Sequence, residues 1–194
     1  MPPAKYHRFW SDLSGDSIGE LPLGNIPPIE VIARMLTALD LGAEDDVLQV
    51  GIGTGYTTCL FAALAGRVYS IERDGERAEL VRTILDAMGV GNVDITVGDG
   101  TSGRPDRAPY DAMLNTVRTE TPPRPLLDQL AERGRLILPA PSDDQKAVTL
   151  ERIVRRQGEY RREQLATVPM HTSFVDVLVA GGVLTRSEAQ AVSP

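Results

Sequence analysis

Cysteine is almost absent: Cys59 stands alone in 194 residues. One cysteine closes no internal disulfide, so stability has to come from a core, and the expected compartment is a reducing cytoplasm. Histidine is equally scarce, and the two that occur, His7 and His171, lie far from each other and from Cys59. No metal-ligand spacing results, and no metal site is expected. No stretch approaches the roughly 18 consecutive apolar residues of a membrane-spanning helix. Lys5 and Arg8 precede no apolar segment with a small-residue cleavage site, so no signal peptide is expected either. Lysine occurs only as Lys5 and Lys146, which leaves arginine to carry nearly all positive charge. With a formal charge of −7 and a pI of about 4.9, the chain lacks the basic surface that displaces counterions from phosphates. A nucleic-acid partner is excluded on that ground. The one basic cluster (Arg152, Arg155, Arg156, Arg161, Arg162) is interleaved with acids around a glycine and reads as the solvated face of a hairpin.

The chain is organised around Val47 to Tyr56, Val-Leu-Gln-Val-Gly-Ile-Gly-Thr-Gly-Tyr. A short apolar run stops at Gly51, Gly53 and Gly55, and a helical pattern without Gly or Pro follows through Ala65. This is a buried strand, a tight turn and a helix. Glycine suits a backbone that turns sharply and lets a ligand come close. Ligands of open parallel sheets lie beyond the strands' carboxyl ends, so a nucleotide-type cofactor is expected over Gly51 to Gly55. The dinucleotide fingerprint needs a further small residue two positions later, which is missing, so the ligand is expected to lack a pyrophosphate.

Around this motif the pattern alternates. A helix is predicted over Ile29–Leu39, starting near Pro28. Strands are predicted at Val47–Val50, Arg67–Ile71, Val93–Val97, Ala112–Thr116 and Arg135–Leu138, the last stopped by Pro139. Helices fall at Tyr56–Ala65, Gly75–Met88 and Leu126–Ala131. Strand–helix alternation implies a parallel twisted sheet with right-handed crossovers. From Ala147 the period becomes two, and Val148–Arg155 and Tyr160–Val168 flank Gln157-Gly158 as an antiparallel hairpin. Phe174–Val179 suits a last strand or an edge contact, and Tyr6–Leu13 a short packed helix. A single domain is expected, with an N-terminal segment (1–24), an α/β core (25–145), a hairpin and edge (146–179) and a tail (180–194).

Two acids stand where a nucleoside would be read. Glu72 ends the second strand, 21 residues after Gly51, and a carboxylate there can accept both ribose hydroxyls. Asp99, between Gly98 and Gly100, can accept from an adenine amino group. Arg118, after the fourth strand, offers a clamp for an anionic acceptor. His171 reaches the same region if its segment folds back.

The stretches Val47–Tyr56, Val-Tyr-Ser-Ile-Glu-Arg-Asp (68–74), Gly-Asp-Gly (98–100), Ala-Pro-Tyr-Asp (108–111), Leu-Leu-Asp-Gln-Leu (126–130) and Gly-Arg-Leu-Ile-Leu-Pro (134–139), with Gln145, resemble protein-L-isoaspartate O-methyltransferases. The glycine motif is shared by many methyltransferases that use S-adenosyl-L-methionine; the full series is specific to the isoaspartyl group. The resemblance implies the Rossmann-like class I methyltransferase fold, with helices on both faces of a mostly parallel sheet. It implies S-adenosyl-L-methionine as cofactor and S-adenosyl-L-homocysteine as product. The implied cofactor site is Val50, Gly51, Gly53, Thr54, Gly55, Tyr56, Glu72, Arg73, Gly98, Asp99 and Gly100, with Thr116 at the methyl-transfer end. The implied acceptor is a carboxylate of a peptide, a protein or a small molecule. Departures fall on the acceptor side: Pro27 replaces the family's serine, Val117-Arg118-Thr119-Glu120 replaces an alanine-rich stretch, and only 24 residues precede Asn25. Gln49 replaces the acid usual at the end of the first strand. Two other readings stay open, the same fold with a different acceptor and a cofactor-binding protein without transferase activity.

Overall fold

The computed structural model describes residues 29–117, 121–141 and 147–169. In chain order the elements are α1 (Ile29–Leu39), β1 (Asp46–Val50), α2 (Tyr56–Leu64), β2 (Arg67–Glu72), α3 (Gly75–Ala87), β3 (Val93–Val97), β4 (Tyr110–Asn115), α4 (Arg124–Asp128), β5 (Leu130–Pro141), β6 (Ala147–Arg156) and β7 (Glu159–Pro169). Short 3₁₀ turns at Gly100–Ser102 and Pro105–Arg107 join β3 to β4. The strands form one seven-stranded sheet in the order β3-β2-β1-β4-β5-β6-β7. β1 to β5 run parallel, β6 runs antiparallel to β5, and β7 antiparallel to β6. Strand order therefore reverses at β1, with β2 on one side and β4 on the other. The crevice at that reversal, above the carboxyl ends of the strands, is where this architecture leaves room for a ligand.

Successive strand residues alternate between two cores. Val47, Val68, Ala112, Leu114 and Ile137 meet α1 and α2 on one face, and Ile52, Cys59 and Ile95 extend this layer to α3. Leu48, Val50, Tyr69, Ile71, Met113 and Leu136 meet α4 on the other. Alternation with both faces buried is the reason β1, β2 and β4 read as nearly unbroken apolar runs.

Two expectations are corrected. The helix expected at Leu126–Ala131 is shorter and earlier, Arg124–Asp128, because Leu130 already pairs with Tyr110 in the sheet. β5 does not stop at Pro139 but runs to Pro141. β4 accompanies β5 only as far as Ile137, so beyond it β5 has β6 as its one neighbour. A residue without an N–H is tolerated in a strand that needs no second ladder. Between Leu130 and Arg135 the pairing with β4 slips. Arg133 adopts a positive φ of 69°, and a Cβ on Gly134 would lie 2.8 Å from the Ala131 carbonyl oxygen. The glycine opening Gly-Arg-Leu-Ile-Leu-Pro thus serves the bulge.

The hairpin turns at Gln157 and Gly158, both with positive φ, as a two-residue connection demands. Its arginines are only partly a solvated face. Arg162 pairs with Glu151 and Arg152 with Glu163, but Arg152 also donates to the Ala38 carbonyl and Arg155 to that of Leu130. Arg135 closes the end of α1, donating from Nε to the Leu39 carbonyl (2.7 Å) and from Nη2 to Asp45 (2.9 Å). The substitution Arg135→Ala would leave the Leu39 carbonyl without this donor and Asp45 with only the Gly42 N–H (3.1 Å), and a loss of about 2 kcal/mol, or roughly 5 °C in melting temperature, is expected in a thermal denaturation experiment. Among the described residues, no helix is long and apolar enough to cross a membrane.

Candidate active site

The strand ends open into a cleft of about 480 Å³ at the β1 reversal. Its lining comes from five places: Val50, Gly51 and Gly53 after β1; Ile71, Glu72, Arg73 and Arg77 around the β2–α3 junction; Gly98 to Thr101 after β3; Asn115, Thr116 and Val117 after β4; and Pro123 and Leu126 at α4. The sheet order spreads these groups into a line. Asp99 stands at one end, Glu72 next, the glycine turn in the middle, and the end of β4 opposite Asp99.

The glycine turn is held by the protein's own packing. Gly51, Gly53 and Gly55 all have positive φ (84°, 59° and 79°). A Cβ on Gly51 would lie 2.2 Å from Thr116 Oγ1, and one on Gly55 would lie 2.7 Å from Val81 Cγ1. Glycine is therefore required there by neighbouring side chains before any ligand arrives. Beneath the turn, buried Gln49 accepts from Thr58 Oγ1 (2.8 Å) and Ser70 Oγ (3.4 Å) and donates to the Gly51 carbonyl (3.2 Å). A carboxylate at this position could not make that last bond. Gln49 is a working substitution, with a hydrogen bond that the acid lacks.

Glu72 is 6% exposed, and both its oxygens are in use: Oε2 accepts from the Ile52 N–H (3.1 Å) and Oε1 from the Asp74 N–H (3.0 Å). Arg77 Nη1 stands 3.6 Å from Oε1. Each carboxylate oxygen carries two lone pairs, so one on each remains for a pair of ligand hydroxyls. Asp99 is exposed and caps the Gly100–Ser102 turn, its Oδ1 accepting from the Thr101 N–H (2.9 Å). That bond, reinforced by the Arg73 charge, holds its carboxyl below the usual range. At neutral pH Asp99 is an acceptor only, as an amino group of a base requires. A Cβ on Gly98 would meet open space, whereas on Gly100 it would meet Val50 at 2.3 Å. An acceptor at β3, a two-oxygen acceptor at β2 and a glycine turn at β1 would suit an adenosine laid from β3 to β1.

Val50, Gly51, Gly53, Glu72, Arg73, Gly98, Asp99, Gly100 and Thr116 line the cleft. Thr54, Gly55 and Tyr56 do not. Thr54 is buried with its hydroxyl accepting from the Tyr56 N–H, Gly55 abuts Val81, and Tyr56 packs between the α1–α2 and α2–α3 cores. They shape the turn rather than face the cleft. Pro27, Arg118 and His171 lie outside the described residues, as do Tyr6–Leu13 and Phe174–Val179. Sequence reasoning missed Arg77, one turn into α3, and Asn115, a polar residue closing an apolar strand, which was the available signal.

A mostly parallel seven-stranded sheet whose order reverses at β1, with a glycine turn after β1 and an acid at the end of β2, has the class I S-adenosyl-L-methionine-dependent methyltransferase fold. Solved structures agree: a protein-L-isoaspartate O-methyltransferase superposes with a TM-score of 0.64 over 94% of this chain and 69% of its own, at 19% identity. A second, a beta-aspartate methyltransferase from Plasmodium falciparum in complex with S-adenosyl-L-homocysteine, gives 0.57 over 73% and 72%, at 20% identity. At these identities the likeness is one of fold. Sequence goes further. A profile of the Protein-L-isoaspartate(D-aspartate) O-methyltransferase (PCMT) family matches residues 16–178. The protein-L-isoaspartate O-methyltransferase of Koribacter versatilis is 39% identical over 84% of this chain and 71% of its own length, and that of Syntrophus aciditrophicus 41% identical over 81% and 72%. The chain belongs to the protein-L-isoaspartate O-methyltransferase family.

Proposed function

We propose that this chain methylates the free α-carboxylate of an isoaspartyl residue in a protein or peptide, using S-adenosyl-L-methionine. The observation that carries the reading is the order of groups across the sheet: a base acceptor at β3, a two-oxygen hydroxyl acceptor at β2, a glycine turn at β1 and a polar strand end at β4. That order suits an adenosine whose sulfur end points toward β4. When bound, the cofactor supplies a methyl group on a positively charged sulfur. The acceptor carboxylate is ionised at pH 7, so the chain needs no general base. Its residues have to align the carboxylate and keep water from it. Val117, Pro123 and Leu126 supply apolar walls for that purpose.

The Thr116 hydroxyl proton is shared between the Val50 carbonyl (2.9 Å) and the Gly51 carbonyl (3.3 Å). Thr116 on this reading braces β4 against the glycine turn. A buried lone cysteine and the acidic charge support a reducing cytoplasmic setting and a partner other than nucleic acid. Pro27, which lacks a hydroxyl at the family's serine position, favours a second reading with a different carboxylate acceptor, a peptide aspartate or a small molecule. Transfer of labelled methyl to an isoaspartyl peptide, with the matching aspartyl peptide as control, separates the two. Transfer to the isoaspartyl peptide alone is the expected result. Tight binding of S-adenosyl-L-homocysteine without transfer to that peptide would overturn the isoaspartyl assignment.

A further inference from the structure

The acceptor end of the cleft has a polar group whose donor is not engaged by the protein. Asn115 closes β4, is 1% exposed and lies on the cleft floor beside Val50, Pro123 and Leu126. Its orientation is determined by hydrogen bonding, since Oδ1 accepts from the Val117 N–H at 3.0 Å. An N–H can be satisfied there only by the oxygen, so the NH₂ group must point the other way. Among the described residues Nδ2 has no hydrogen-bond partner, and it is not sealed from the cleft. Once a ligand covers this floor and expels water, the donor needs an acceptor on that ligand, or the desolvation of its N–H goes uncompensated. The neighbouring Thr116 cannot take this part, because its hydroxyl proton is turned to two backbone carbonyls.

We infer that Asn115 Nδ2 donates to a carboxylate at the methyl-transfer end, and that this carboxylate is the acceptor's. The inference rests on the reading of the cleft given above and adds the group that recognises the acceptor. The bond goes to the oxygen that does not attack, so it orients the nucleophile without a proton changing hands.

The test uses calorimetric titration of the full chain, saturated with S-adenosyl-L-homocysteine, with an isoaspartyl peptide and its aspartyl control. Two variants separate recognition from architecture. Asn115→Asp keeps an oxygen for the Val117 N–H but replaces the donor with a charged acceptor. Asn115→Ala removes both. Recognition requires Asn115→Asp to be the worse of the two, with peptide affinity down by more than about a hundredfold against about tenfold for Asn115→Ala, and with affinity for S-adenosyl-L-homocysteine within about twofold of the original chain. A purely architectural role gives the reverse order, with Asn115→Asp near the original affinity, and overturns the inference. Weakened S-adenosyl-L-homocysteine binding with unchanged peptide binding would assign the donor to the cofactor's own carboxylate and likewise overturn it. Failure of the unmodified chain to prefer the isoaspartyl peptide would sink the functional reading itself, a different result from either. Thermal melts of both variants confirm that the comparison is between folded proteins.

Discussion

The substitution Gly51→Ala should abolish measurable binding of S-adenosyl-L-homocysteine and lower thermal stability, the largest loss expected from adding one methyl group to this chain. Two separate physical causes act together. A φ of 84° puts an alanine in the left-handed region, at about 1–2 kcal/mol. The added Cβ would also stand 2.2 Å from Thr116 Oγ1, far inside contact distance. Neither strand can withdraw freely: the Gly51 N–H donates to the Ile71 carbonyl at 2.9 Å, and the Thr116 N–H to that of Val50 at 2.9 Å. The turn must deform, and its cleft-facing backbone with it. Calorimetric titration and a thermal melt measure the two losses. The pair Gly51→Ala, Thr116→Ala removes the nearest obstacle while keeping the strain, so it should regain about half the lost stability. Recovery of nothing would place the cause entirely in the backbone.

Loss of the Glu72 carboxylate comes next in size. In Glu72→Ala the Ile52 and Asp74 N–H groups, which now donate at 3.1 and 3.0 Å, lose their acceptor, and the ligand loses the acceptor for its hydroxyl pair. Hydrogen bonds to a charged group contribute about 1.5–3 kcal/mol each, so affinity for S-adenosyl-L-homocysteine should fall by roughly two orders of magnitude or more. Glu72→Gln is informative because it preserves shape. The amide can face only one of the two backbone N–H groups with its oxygen and sets its own NH₂ against the other. It should therefore bind little better than Glu72→Ala. Near-normal affinity in Glu72→Gln would mean that the carboxylate holds the β2–α3 junction and does not touch the ligand.

Much of this molecule was legible because its signals are local. Strand–helix alternation, apolar runs at β1, β2 and β4, and the Gln157-Gly158 turn follow from side-chain period and left-handed propensity within a few neighbouring residues. The family resemblance was likewise carried by short motifs in a given order. Where the sequence misled, the controlling contact was distant. Pro139 stops a strand by local rule, yet β5 continues because β4 has already ended beside it. Leu130 looks helical until its pairing with Tyr110 is known. Gly51 and Gly55 pointed to a close-lying ligand, but their nearest obstacles are Thr116 and Val81, from β4 and α3.

The sequence by itself determined the fold class and the family, since those depend on period, motif order and turn chemistry. Only the tertiary structure decided which residues gather at the strand ends and which of them still have a hydrogen bond to offer. Glu72 is half engaged by backbone, the Thr116 hydroxyl proton is taken by two carbonyls, and the Asn115 amide is turned by the Val117 N–H. The bonds at Glu72 and Thr116 join residues up to 66 positions apart. Hydrogen-bonding capacity at a site is settled by such pairings, which form only when the sheet brings non-sequential strands side by side.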